Sequence, residues 1–354
     1  MRILFDIGHP AHVHFFKTAI RLLQARHHDI LITSRDKEFA LELLNQLNLP
    51  HTPLSRLGKG GLFTLGKELI QRNFGLWRVV RRFKPDIMAA IGGICIAQVG
   101  FLTRVPSLVF YDTENARLQN TLTYPFAKRV IVPQCYETWV PKRRHLRYAG
   151  YHELAYLHPQ YFTPDRNIAI ENGLSPDGDT FFLRLVSWQA NHDIGEEALS
   201  TEMLGFLINQ LQGRGKLLIS SESPLPAKFQ QYAYHGQVAQ VHHVMAYCRL
   251  LLGESATMAS EAAVLGVPAL YIARTGRGYT NEQERKYQLV INIHDFNRDR
   301  IRAALDSLLA RNKEHYQQLR RILLDNTIDV SRFIVNCLES YPSLSPQLGE
   351  VHHS

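Results

Sequence analysis

Short apolar runs recur along this chain, each followed by a stretch with helical spacing. Ile3-Leu4-Phe5, Ile30-Leu31-Ile32, Leu108-Val109-Phe110 and Val130-Ile131-Val132 are runs of this kind in the first half. Continuous apolar runs bounded by turn residues fit strands buried on both faces, the condition of a parallel sheet. The pattern predicts strands over 2–7, 30–34, 86–91, 106–111 and 129–132. It predicts helices over 15–25, 39–47, 62–83, 94–102 and 115–124, with a turn over 8–14 and a glycine-containing loop over 54–61. A second cycle starts near residue 150. There, strands are predicted over 180–186, 216–220, 250–252 and 269–272, and helices over 196–211, 242–248, 258–265, 300–324 and 331–341. Strand and helix alternate in both halves, which predicts two doubly wound parallel sheets. Their ligands are expected outside the carboxyl ends of the strands. Residues 1–150 and 151–330 are the expected domains, with a last helix over 331–341 and a frayed tail over 342–354.

Length and composition agree with two globular domains: 354 residues, 45% hydrophobic and 20% charged. No apolar run reaches the ~20 residues that span a bilayer. The opening MRILFDIG turns polar at once and does not read as a signal peptide. Cys95, Cys135, Cys248 and Cys337 are scattered without metal or redox spacing, as in a cytoplasmic protein with reduced thiols. Charge is uneven. Residues 1–150 carry 22 Lys and Arg against 10 Asp and Glu, a net of +12, and the remainder carries −4. A basic first half suits an anionic acceptor, an anionic membrane surface or nucleic acid. No nucleic-acid-binding motif accompanies it, so no nucleic acid is expected.

The most informative stretch is 250–274, LLLGESATMASEAAVLGVPALYIAR. A strand ends in Gly253-Glu254-Ser255-Ala256-Thr257, a turn almost without bulk, and a helix follows. The first N–H groups of a helix have no internal acceptor and carry the positive end of its dipole, so a phosphate is the natural guest. Glu261 falls on the same helix face as Thr257 and suits sugar hydroxyls. A solvated helix glutamate in ordinary α/β packing is the plain alternative. ESATMASEAAVLGVPAL resembles the donor-binding motif of GT-B glycosyltransferases. It is similar to that of the lipid-linked N-acetylglucosaminyl transferase of peptidoglycan synthesis and of the UDP-N-acetylglucosamine 2-epimerases. The chain from residue 1 to about 341 also resembles a family of predicted GT-B proteins of unknown function with a D-I-x-x-P-x-H-V-x-F start. The resemblance implies a GT-B fold, two Rossmann-like domains facing a cleft, with the helix over 331–341 crossing back to the first domain. It also implies that Ser255, Ala256 and Thr257 hold the phosphates of a nucleotide sugar, with a UDP-sugar as the donor, and that Glu261 holds its ribose.

Other candidates follow from position. His12-Val13 resembles the Gly-His-Val segment of the peptidoglycan transferase, so His12 is the candidate base, and neutral histidine suits proton removal near pH 7. His9 and His14 are placed on the acceptor side. Asp6 is read as capping or orienting their loop. His9, His12 and His14 have no recognised zinc spacing, and neither metal nor cofactor is expected. In the loop over 184–193, which touches the donor phosphates in GT-B proteins, Ser187 is the phosphate candidate, with His192 and Asp193 completing a polar site. In 274–283, where transferase relatives place amide and acidic side chains on the donor sugar, Glu282 and Gln283 are the matching types, and Arg274 or Arg277 would neutralise pyrophosphate. The helix over 62–83 interleaves Leu69, Ile70, Phe74 and Trp77 with Lys67, Arg72, Arg78, Arg81 and Arg82. Together with Gly58, Gly60 and Gly61, the stretch 59–84 suits a sugar or lipid-linked acceptor and peripheral contact with the inner face of an anionic membrane. A buried helix with a solvated basic face is the alternative. The expected activity is a glycosyltransferase of cell-envelope or surface-polysaccharide assembly. The rivals are a sugar-nucleotide epimerase, for which Asp112 and Glu114 are the available carboxylates, and a non-catalytic binder.

Overall fold

The computed structural model describes residues 1–36, 38–56, 62–186, 199–345 and 349–351. Ser187, Trp188, His192, Asp193, Gly58, Lys59, Gly60 and Gly61 lie outside the described residues. The chain forms two compact units, Met1–Tyr156 together with Ile328–Ser354, and Leu157–Thr327.

Unit 1 is built on seven parallel strands: β1 (Arg2–Ile7), β2 (Asp29–Asp36), β3 (His51–Arg56), β4 (Ile87–Ile91), β5 (Ser107–Phe110), β6 (Arg129–Pro133) and β7 (His145–Tyr148). Their order is β3-β2-β1-β4-β5-β6-β7. Helices α1 (Pro10–Ala25), α2 (Glu38–Gln46), α3 (Leu62–Phe83), α4 (Ile94–Thr103), α5 (Arg117–Thr123) and α6 (Leu154–Leu157) connect or follow them. Ile3, Leu4, Phe5 and Ile7 of β1 are fully buried. Phe5, Phe15, Phe16 and Phe110 pack with ring centroids 4.8–5.7 Å apart. Each such side chain contributes about 1.5–3 kcal/mol by leaving water.

Both edge strands of unit 1 escape the periodicity. β3 contains Pro53 and pairs on one side only, with β2, where a missing N–H is tolerated. Its last residues fall where a loop over 54–61 is expected. β7 pairs only with β6. Helix α1 also starts five residues earlier than predicted. Pro10 supplies a preset φ at its first position and His9 Nδ1 accepts the Ala11 N–H as its cap. His12 and His14 therefore belong to a helix rather than to a turn.

Unit 2 has five parallel strands: β8 (Thr180–Leu185), β9 (Lys216–Ser221), β10 (Leu250–Gly253), β11 (Ala269–Ile272) and β12 (Val290–Ile293), ordered β12-β11-β10-β8-β9. Its helices are α7 (Arg166–Glu171), α8 (Thr201–Leu211), α9 (Val241–Tyr247), α10 (Ala256–Leu265), α11 (Gly278–Arg285), α12 (Arg298–Leu309) and α13 (Lys313–Asp325). The long helix expected over 300–324 is two helices. Asn312 ends the first run and caps the second by accepting the His315 N–H at 2.9 Å.

The chain then returns to unit 1 as α14 (Val330–Glu339), which packs on α1. Ser331 donates to the Ala155 carbonyl at 2.7 Å, and Glu339 pairs with both Arg26 and His28. The Ala149 N–H donates to the Gly349 carbonyl, so the end of the chain lies along the residue after β7.

Candidate functional site

In unit 2 the central strand β10 ends in Gly253, whose φ of +132° is open to glycine alone. A Cβ there would run into the Arg184 carbonyl oxygen of β8. The two strand ends approach this closely because the Glu254 N–H donates to that same carbonyl at 3.0 Å. The buried Glu254 carboxylate accepts the Val186 N–H at 3.0 Å and the Leu199 N–H at 2.6 Å. Ser255 caps α10 through the Met258 N–H at 3.2 Å. Ser255, Thr257 and Met258 are half-buried while the rest of α10 is buried. The first turn is thus the accessible part of a helix held rigidly on its other sides. Gln317 and Arg320 of α13 donate to the carbonyls of Gly266 and Val264 at its far end.

Glu261, one turn along α10, is 6% exposed and is not the solvated glutamate of the plain alternative. Its Oε1 lies 2.8 Å from His242 Nε2 of α9. His242 therefore sets the carboxylate's orientation. Gln283 is fully buried and donates to Ser260 Oγ at 2.8 Å, tying α11 to α10. Glu282 is half-buried and pairs with Lys286 at 2.8 Å. Both lie in α11, whereas the stretch 274–283 reads as a loop in sequence. Arg274 is exposed, with its guanidinium 4.7 Å from the centre of the Phe296 ring. Arg277 is buried and donates to Thr275 Oγ1 and the Gly276 carbonyl.

Unit 1 gathers a second polar cluster at the carboxyl ends of its strands. Asp6, near the end of β1, is buried. It accepts from Thr33 at 2.9 Å and from Arg72 of α3 at 2.9 Å to each carboxylate oxygen. Asp6 is thus the anchor of a buried ion pair, a role larger than orienting a loop. His12 is half-buried in the first turn of α1. The Gly8 N–H donates to its Nδ1 at 3.3 Å, so the neutral ring carries its proton on Nε2. Burial, with help from the neighbouring His9, Arg72 and His152, holds its pKa well below the usual imidazole range, and the Asp112 carboxylate opposes this. His9 sits beside it, with ring centroids 5.9 Å apart. His14 points elsewhere. Two residues along a helix is a rotation of about 200°, and His14 packs on Tyr156 with centroids 5.2 Å apart.

His152, in the segment after β7, completes the cluster. Its Nδ1 lies 3.1 Å from Asp112 Oδ2, just beyond the end of β5. Its ring packs on Phe15 with centroids 4.2 Å apart. Phe15 is one turn from His12 on the same face of α1. Burial alone would raise the Asp112 pKa. The charge and hydrogen bond of His152, and the Thr113 hydroxyl, outweigh it and hold Asp112 below the ordinary carboxylate value. Sequence reasoning singled out neither His152 nor His242. Neither belongs to a local motif, and each meets its carboxylate only through the order of the strands and helices.

Comparisons with known proteins agree with this architecture. The chain belongs to the family described as Protein of unknown function (DUF354), which matches residues 1–330. The uncharacterized protein MJ0665 of Methanocaldococcus jannaschii is 24% identical over 283 residues, 76% of this chain and 80% of that one. Among solved structures, the UDP-GlcNAc 2-epimerase of Neisseria meningitidis bound to UDP-GlcNAc superposes with a TM-score of 0.71 at 13% identity, covering 96% of this chain and 100% of that one. The glycotransferase of kitacinnamycin superposes with a TM-score of 0.67 at 13% identity, covering 96% and 98%. The fold is therefore GT-B, with two Rossmann-like parallel-sheet units.

Proposed function

We propose that this member of the DUF354 family is a nucleotide-sugar-dependent glycosyltransferase with a UDP-sugar donor, acting in cell-envelope or surface-polysaccharide assembly. The observation that carries the reading is the turn from Gly253 to Thr257. It is an accessible helix N-terminus on a buried, firmly packed helix, at the carboxyl end of the central strand of unit 2. The neisserial neighbour binds UDP-GlcNAc on the same fold, which favours a uridine nucleotide over other diphosphates. In this reading the N–H groups of Ala256 and Thr257, with the Ser255 hydroxyl, take the diphosphate. Arg274 adds positive charge. Glu261, steered by His242, takes the ribose, and Glu282 faces the donor sugar. Gln283 supports α10 from within. Unit 1 serves the acceptor.

The acceptor hydroxyl attacks the anomeric carbon, the bond from that carbon to the diphosphate oxygen breaks, and the hydroxyl proton passes to His12. Two features support His12. Its low pKa keeps it neutral at pH 7, and Asp112 favours the imidazolium that forms. Base action at Nε2 calls for the other tautomer and gives up the long 3.3 Å contact from Gly8, a small loss for so weak a bond. No metal has a part in this scheme. Helix N–H groups and basic side chains neutralise the leaving diphosphate.

A second reading, sugar-nucleotide 2-epimerase, is favoured by the neisserial neighbour and by two carboxylates, Asp112 and Glu114, beyond β5. One experiment separates the two. Thermal shifts with a panel of nucleotide diphosphates and nucleotide sugars are compared between wild type and Glu261→Ala. A ligand at a hundredfold excess over its Kd adds about 2.7 kcal/mol of apparent stability. A uridine-specific shift that is lost in the variant supports the site. The bound sugar nucleotide is then incubated in D2O. Deuterium entering at C2 without an acceptor identifies the epimerase, and release of the nucleotide diphosphate on adding an acceptor identifies the transferase. If no nucleotide shifts the folded protein, both readings fall.

A further inference from the structure

Helix α3 presents two faces of different character. Glu68, Arg72, Leu76 and Val80 repeat every four residues and turn inward, either buried or engaged with Arg35 and Asp6. About 150° away around the helix lie Ile70, Phe74 and Trp77, exposed by 71%, 59% and 39%. At 100° per residue, Lys67, Ile70, Phe74, Trp77, Arg78 and Arg81 fall within one stripe about 100° wide. Lys67, Arg78 and Arg81 are all exposed. Phe74 and Trp77 stack with centroids 5.8 Å apart, and Arg81 lies over the Trp77 ring.

This inverts the usual arrangement, in which an amphipathic helix turns its apolar stripe inward. Here the inner face is already occupied by its own core and ion pairs, so the outer apolar residues are surplus to folding. The helix contains one acidic residue, Glu68, and that is paired with Arg35 on the inner side. Helix α4, which packs on α3, exposes Phe101 and Leu102 near its C-terminal end. Bulky apolar side chains flanked by Lys and Arg, with no exposed carboxylate among them, match the chemistry of an anionic bilayer surface. The rings and the isoleucine enter the acyl boundary while the cations meet lipid phosphates. A protein partner would need acidic groups spaced to these cations, and a second copy of this face would set cation against cation. Among the described residues no helix is long and apolar enough to cross a membrane.

We infer that the outer face of α3 docks unit 1 onto anionic phospholipid, with Ile70, Phe74 and Trp77 inserted and Lys67, Arg78 and Arg81 on the headgroups. This holds whichever reaction the protein performs, and its failure would leave the nucleotide reading of unit 2 untouched.

The test is co-flotation of the full chain with vesicles of phosphatidylcholine alone and with vesicles containing about half phosphatidylglycerol. Two triple variants are compared, Ile70→Ser/Phe74→Ser/Trp77→Ser and Lys67→Gln/Arg78→Gln/Arg81→Gln. All six positions are exposed, so both variants fold, as circular dichroism will show. Wild type binds the anionic vesicles and not the neutral ones. Each cation near an anionic surface adds about fivefold to partitioning, so the glutamine variant binds roughly a hundredfold more weakly. The serine variant loses at least about tenfold. Raised salt weakens wild-type binding, because the charges act through water. The inference is overturned if wild type ignores anionic vesicles or if the variants bind as wild type does. It is also overturned if the serine variant abolishes a concentration-dependent dimer while lipid binding is absent.

Discussion

His152 Nδ1 lies 3.1 Å from Asp112 Oδ2, and the other ring nitrogen of His152 is buried without a hydrogen-bond partner among the described residues. A carboxylate only accepts, so Nδ1 carries the proton. His12 is its mirror image, with Nδ1 accepting from Gly8. Nitrogen-15 NMR of the imidazoles is expected to show Nδ1 protonated in His152 and the Nε2–H tautomer in His12. Asp112→Ala leaves a buried ring nitrogen unpaired and is expected to cost about 1–3 kcal/mol in urea unfolding. In the double variant with His152→Ala part of that loss is recovered. Strict additivity would mean that the pair contributes nothing as a pair.

The pH dependence of stability follows from the same cluster. His12 has a folded pKa well below the unfolded value of about 6.5. The unfolded chain therefore binds the extra proton first, and stability falls as pH drops below that value. Asp112 also has a depressed folded pKa. Its contribution is present above an unfolded value of about 3.9 and is lost below it as pH falls. Chemical unfolding between pH 8 and pH 5, in roughly half-unit steps, should show the His12 slope. His12→Gln is expected to flatten it, and an unchanged slope would remove His12 as its source.

Gly253 and Gly66 predict opposite outcomes for the same substitution. Gly253→Ala combines a positive φ with a Cβ driven into the Arg184 carbonyl. It is expected to destabilise by about 3 kcal/mol or more and to abolish nucleotide-induced stabilisation. Gly66 lies inside α3, and a Cβ there would meet nothing within 4 Å, so Gly66→Ala is expected to stabilise by about 0.5–1 kcal/mol. Thermal melts of the two variants beside wild type check both signs.

The Asp6–Arg72 pair is a third target. Removing one member of a buried ion pair leaves the other charged and unpaired, at a cost of about 3–5 kcal/mol. Arg72→Ala is expected to fall in that range by urea unfolding. Arg72→Lys is expected to recover only part of the loss, since an ammonium is more strongly hydrated, and so costs more to bury, than the guanidinium whose one nitrogen now reaches both carboxylate oxygens.

The fold was legible where local signals were strong. The buried runs in β1, β5, β6, β8 and β10 are mostly apolar, and their alternation with helices is the signature of the parallel sheets that form. Of the four edge strands only β9 was legible; β7 and β12 are short, and β3 is interrupted by Pro53. The start of α1 was hidden because His9, an unusual cap, takes the place of a serine or aspartate. The break at Asn312 was legible in principle, since an asparagine followed by an acidic first turn is a helix start signal. At the candidate site, the geometry of the Gly253–Thr257 turn could be read because its residues are contiguous. His152 could not. It stands 140 residues from His12 and 40 from Asp112, and only the strand order of the sheet brings the three to one end.

The division of unit 1 between two segments of the chain has a consequence for its birth on the ribosome. Residues 1–156 are made before unit 2, yet α14, which covers α1, is made after it. Unit 2, continuous from Leu157 to Thr327, is complete before unit 1 has its final helix. Domains generally fold as units during synthesis, N-terminal first, whereas this chain order lets the second unit be complete before the first. The first-made sheet must wait, with the apolar side of α1 uncovered, for most of the chain to be translated. A nascent chain stalled before α14 would thus hold a finished second unit and an unfinished first one.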